Sequence, residues 1–79
     1  MTEQQIRIKL LQRVLNGADE NTAASIMALG SEMTTFRLLV AVAKIDPHLS
    51  RGLLVIRYGV SDEQARKART KANRELGQI

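Results

Sequence analysis

At 79 residues, with 44% hydrophobic and 25% charged side chains, the chain has the makeup of one small globular domain and not of a disordered segment. It contains no cysteine, which excludes disulfides and thiolate metal sites and fits a cytoplasmic protein. The formal net charge of +4 is unevenly spread: residues 18–30 carry Asp19 and Glu20 with no base, whereas residues 61–79 carry five bases against Asp62, Glu63 and Glu75. Segregation of this kind favours an anionic partner. Phe36 and Tyr58 are the only aromatics, so the core must come from Leu, Ile, Val, Met and Ala, and so thin a core favours a homodimer. Gln4, Gln5, Arg7 and Lys9 interrupt any leader-like apolar stretch. The longest apolar run, residues 38–43, is far short of the roughly 20 residues that span a bilayer.

Taken in order, Thr2-Glu3-Gln4-Gln5 has the spacing of a capping box, and the helix it starts puts Ile6, Leu10, Leu11, Val14 and Leu15 on one stripe. Asn16-Gly17 ends that helix, with Gly17 expected in the left-handed C′ position. Asp19 caps a second helix over residues 20–29, whose apolar contacts are Ala23, Ala24, Ile26 and Met27. Gly30-Ser31 then supplies a C′ glycine and a new N-cap for a third helix over residues 32–45. This helix is apolar on nearly every side from Phe36 onward and is expected to be buried, at the domain centre or across a dimer interface. A buried strand is the competing reading of residues 38–42, but no partner strand is evident.

Asp46-Pro47 reads as a cap followed by proline at N1 of a fourth helix, running to Tyr58 and presenting Leu49, Leu53, Leu54 and Ile56. Gly59 stops it, and Ser61-Asp62-Glu63-Gln64 is a second capping box that launches the fifth helix. On that helix Ala65, Ala68, Ala72 and Leu76 share a small apolar face, while Arg66, Lys67, Thr70 and Arg74 point elsewhere. No acid interrupts residues 66–74. The expected fold is all-α, a compact bundle of five short helices joined by connections of two to four residues, forming one domain over residues 1–79.

Residues 51–70 resemble the helix-turn-helix superfamily of bacterial, plasmid and phage transcription regulators. Val55, Gly59, Val60, Ala65 and Ala68 occupy that motif's packing slots. Val55 is larger than the usual alanine there, and the two alanines are smaller than the usual Val or Ile. A second stretch, residues 11–37, is similar to Trp-repressor-like proteins through Val14-Leu15-Asn16-Gly17, Leu29-Gly30 and Thr34-Thr35-Phe36-Arg37. Ser31-Glu32-Met33, Leu38-Leu39 and residues 50–58 resemble small regulators of fimbrial adhesin operons.

These resemblances imply a sequence-specific regulator of double-stranded DNA, a repressor by preference. The first motif puts the start of the last helix in the major groove, where Asp62, Glu63, Arg66, Lys67 and Thr70 face the bases. Arg66 suits a guanine edge and Glu63 a cytosine amino group. Ser50, Arg51, Arg69, Lys71 and Arg74 are expected on phosphates, which position the protein without reading sequence. The rival motif offers Thr34, Thr35 and Arg37 instead.

Other chemistries find little support. His48 is the single histidine and has no Cys or second His to complete a metal site. Ser31, Ser50 and Ser61 sit where helices start, with no base to activate them, so no catalysis and no cofactor are expected. An alanine face gains too little on insertion for the basic helix to bind membranes. The remaining alternative is an adaptor or inhibitor that binds a host protein through Phe36, Ile45 and the apolar residues between them.

Overall fold

The computed structural model describes residues 2–29 and 33–77. These form five helices: α1 (Glu3–Val14), α2 (Glu20–Ala28), α3 (Thr35–Ile45), α4 (Arg51–Tyr58) and α5 (Asp62–Glu75). Among the described residues there is no strand, so residues 38–42 are helical and the strand reading of them falls away. The molecule measures 36 × 23 × 20 Å.

Helix α3 is the centre. Leu38, Leu39, Val42 and Ala43 are fully buried, with α1 packed on one side and α5 on another. Helix α2 packs on α1, and α4 packs on α5. The first helix follows the expected stripe only in part: Ile6, Leu10 and Leu11 are buried, Val14 is half-buried and Leu15 is exposed.

Caps fix most boundaries. Thr2 and Gln5 form the full reciprocal box at α1, and the side chains of Asp19 and Ser61 accept from the backbone N–H three residues on. At the end of α1 it is Asn16, not Gly17, that takes the C′ position, with φ 60°. The N–H of Asn16 donates to the Arg13 carbonyl (3.1 Å) and that of Gly17 to the Gln12 carbonyl (2.8 Å), the paired bonds of a Schellman motif. Gly17 follows, also left-handed.

Three expectations are corrected. The third helix starts at Thr35 and not at residue 32, because Thr34 takes the extended N-cap conformation and its hydroxyl accepts from the Arg37 N–H. The Gly30-Ser31 stop and cap lie outside the described residues.

Asp46 and Pro47 do not start α4. Asp46 is the C-cap of α3, and its carbonyl accepts from the Leu49 N–H (3.0 Å), closing a four-residue turn with proline at the second position, where its fixed φ fits. The N-cap of α4 is Ser50, whose hydroxyl accepts from the Leu53 N–H. That later start changes which face is buried. Leu54 and Tyr58, one turn apart, point inward with the non-helical Leu49, whereas Leu53 and Ile56 are 44% and 80% exposed. Tyr58, 5% exposed, is thus part of the core.

The Asp46 carboxylate is occupied elsewhere. The Arg13 guanidinium grips it with two bonds of 2.7 and 2.8 Å, tying α1 to the end of α3. That hydrogen bond holds the Asp46 carboxyl below its usual range, against burial, which pushes the other way. As pH falls the unfolded chain, with its carboxyl near about 3.9, takes up the proton first. The stability that Asp46 adds is therefore complete well above pH 4 and is lost as pH drops through the folded-state value. Asp46→Asn should lower the unfolding midpoint at pH 7, and its gap from wild type should be smaller at pH 3 than at pH 7. A gap of equal size at both pH values contradicts this.

Candidate functional site

The residues expected to carry function are placed by α4, the turn Gly59-Val60-Ser61 and α5. Gly59 sits in the left-handed region (φ 72°), which ends α4 at little conformational cost. Val60 is buried at the turn, and Ala65, Ala68 and Ala72 have no exposed surface. Val55 is half-buried against the same cluster. With alanine methyl groups on its inner face and Arg69 beside them, α5 lies against α3 and α4, and its other side stays in solvent. Leu76, expected on the inner face, is 42% exposed.

On the solvent side Arg66, Thr70 and Arg74 follow one another at four-residue intervals and form a single stripe. They line a shallow depression together with Lys67 and Lys71. Lys67 pairs with Glu63 (3.3 Å) one turn back, and Lys71 stands 3.9 Å from Glu75. Glu75 also binds Lys44 of α3 at 3.0 Å, a bond that holds its carboxyl below the usual range. Arg51 reaches across the turn to Asp62 at 3.0 Å, with both side chains more than half exposed. Pairs this exposed contribute little to stability and open readily. Among the described residues, Arg66 and Arg74 form no ion pair.

Two of the ten residues proposed around this turn are engaged internally. The Ser50 hydroxyl is used in its helix cap. Arg69 is turned inward: Nη2 donates to the Ala43 carbonyl (2.6 Å), and Nη1 donates to the carbonyls of Leu49 (2.7 Å) and Asp46 (3.3 Å). Burial lowers its pKa from the ordinary arginine value. Arg69 caps the carbonyl end of α3 and is not free for phosphate, which corrects its assignment as a phosphate contact.

The rival motif does not assemble as a second reading head. Thr35 is buried and its hydroxyl donates to the Glu3 carboxylate, while the Thr34 hydroxyl is held in the α3 cap. Thr34 and Arg37 are exposed, and of the two only Arg37 has a side chain not used in the cap. Among the described residues α2 packs principally on α1, so α2 and α3 do not form a packed pair of the kind seen in α4 and α5. The apolar stretch assigned to a host-protein contact is largely consumed in the core: Leu38, Leu39, Val42 and Ala43 have no exposed area, leaving a half-buried Phe36 and a partly exposed Ile45.

The structure adds cross-links that sequence spacing could not display. Arg13 and Asp46 are 33 positions apart, and Lys44 and Glu75 are 31 apart. Arg7 donates to the Met33 carbonyl at 2.8 Å. Among the described residues there is no group of three His, Cys, Asp or Glu able to hold a metal ion, and no helix long and apolar enough to cross a membrane. Compared with protein-family models, curated proteins and solved structures, the chain matches none.

Proposed function

We propose that the protein is a sequence-specific transcriptional regulator, a repressor acting as a homodimer in the cytoplasm, that binds double-stranded DNA through α4, the turn and α5 as a helix-turn-helix. The observation that carries this reading is the Arg66–Thr70–Arg74 stripe, exposed and lacking ion-paired arginines, on a helix whose opposite face is fully buried alanine. A helix so seated presents a rigid cationic ridge, and rigidity is what groove binding needs. Arg66 and Glu63, in the first turns of α5, are the base-facing residues, for guanine and cytosine edges respectively. Arg51, Lys71 and Arg74 take phosphates, the two with acidic neighbours exchanging weak surface pairs for the stronger field of the duplex. In a dimer, the exposed Leu53 and Ile56 of α4 are apolar surface for a second copy to cover.

The adaptor reading comes second, because its apolar contact residues face the core. Fluorescence anisotropy on a random duplex tests the first reading. Binding should be tight at low salt and weaken steeply as salt rises, with a log–log slope of about 0.9 per phosphate contacted. Absence of binding at low salt would overturn it.

A further inference from the structure

A second cationic site lies away from the α5 ridge, in the open groove between the C-terminal ends of α1 and α4. Its walls are Lys9, Gln12, Arg13 and Asn16 on one side and Arg57 and Tyr58 on the other. Three of these six side chains are cationic and none is acidic. Arg13 is compensated, because its Nε and Nη2 hold the two carboxylate oxygens of Asp46, which is 6% exposed. Lys9 and Arg57 remain. Both are exposed, and among the described residues neither forms an ion pair. Glu20 borders Lys9 from a neighbouring depression without pairing with it.

Lys44, Arg51, Lys67 and Lys71 each have a carboxylate within 4.0 Å, whereas Lys9 and Arg57, like Arg66 and Arg74 on the α5 ridge, have none among the described residues. Two uncompensated cations facing each other across a concave surface, with amide donors from Gln12 and Asn16 between them, match the donor set that a phosphate diester accepts from. The groove opens beside the last turn of α4, immediately before the turn that starts α5. Arg57 therefore lies on the same helix pair as the α5 ridge, while Lys9 reaches the groove from α1. The longest dimension of the molecule, 36 Å, is about one turn of B-DNA, so the two surfaces are separated by no more than one helical turn of a duplex.

We propose that Lys9 and Arg57 form a second phosphate-contact site for the same duplex that α5 binds, a proposal that rests on the DNA-binding reading. The site fixes the orientation of the protein on the duplex, because two separated contacts restrict rotation about the α5 axis. The test is anisotropy on a random duplex over a range of salt concentrations with Lys9→Ala/Arg57→Ala. Loss of two contacts should reduce the salt slope by about 1.8, and at 0.1 M salt affinity should fall by roughly tenfold per contact.

A control variant, Asn21→Asp/Ser25→Asp, removes the same two units from the +4 net charge at exposed positions on α2, far from the groove lining. It should keep the wild-type slope. A wild-type slope for Lys9→Ala/Arg57→Ala overturns the groove, as does an equal loss in the control, which would assign the effect to overall charge. If the groove variant is unaffected while Arg66→Ala/Arg74→Ala loses binding, the groove fails and the α5 reading stands. A wild-type protein that does not bind duplex at all removes both.

Discussion

Arg69→Met is expected to destabilise the fold by about 2–4 kcal/mol, which in a domain of this size is a fall in thermal midpoint on the order of 10–20 °C. Methionine keeps most of the apolar stem, so the loss is assigned to the guanidinium head and not to a cavity. That head supplies charge-assisted donors to three carbonyls at the end of α3 and in the turn that follows, at 2.6 to 3.3 Å. A helix end carries a partial negative charge and leaves its last carbonyls without partners inside the helix. Arg69 answers both conditions at once and also locks α5 to α3. Its Nε is buried without a partner, which subtracts from the gain and keeps the expected figure below the sum of three such bonds. Arg69→Lys should recover only part of the loss, since an ammonium lacks the planar fork that spans these carbonyls. Thermal unfolding followed by circular dichroism measures this, and a midpoint within 2 °C of wild type for Arg69→Met, well inside the scatter of neutral surface changes, would show that the clamp adds nothing.

Arg66→Ala/Arg74→Ala should leave stability nearly unchanged and weaken duplex binding at 0.1 M salt by roughly a hundredfold, with a salt slope lower by about 0.9 for the phosphate contact of Arg74. Both side chains are exposed and form no ion pair among the described residues, so their removal leaves no buried group stranded. Arg69→Met, measured at a temperature where it remains folded, should keep the wild-type slope because its guanidinium faces α3. The two variants separate roles that look alike in a run of basic residues. Equal losses of slope in both would mean that Arg69 leaves its carbonyls to meet DNA, and the division of labour on α5 would be wrong.

How much of this was legible in the chain depends on how local each signal is. The caps at Thr2, Asp19 and Ser61 and the stop at Gly59 each involve residues within four positions, and each appears where the spacing places it. The alanine face of α5 follows from period alone. Asp46-Pro47 was ambiguous because the same dipeptide serves a helix start and a tight turn. Arg13, 33 positions away, decides the matter by occupying the carboxylate that a cap would need. The start of α3 was misplaced because Ser31 and Thr34 are both good caps by residue type, and Thr34 is the one whose hydroxyl meets the Arg37 N–H.

By spacing alone Arg69 is one more basic side chain, since its partners are backbone carbonyls that a sequence does not display. Its position held a clue: four residues after Ala65 and one after Ala68, it borders the buried face. The groove formed by Lys9 and Arg57 had no such clue, because nothing short of the packed fold brings positions 9 and 57 together.

If the outer face of α5 meets DNA, titrating isotope-labelled protein with duplex and following its backbone amides by NMR should give the largest shifts within α5, at Arg66, Lys67, Thr70, Lys71 and Arg74. A second group of shifts should appear at the α1–α4 groove, with little change in α2. Shifts concentrated at Thr34, Thr35 and Arg37 with α5 unmoved, or no shifts at low salt, would contradict that reading.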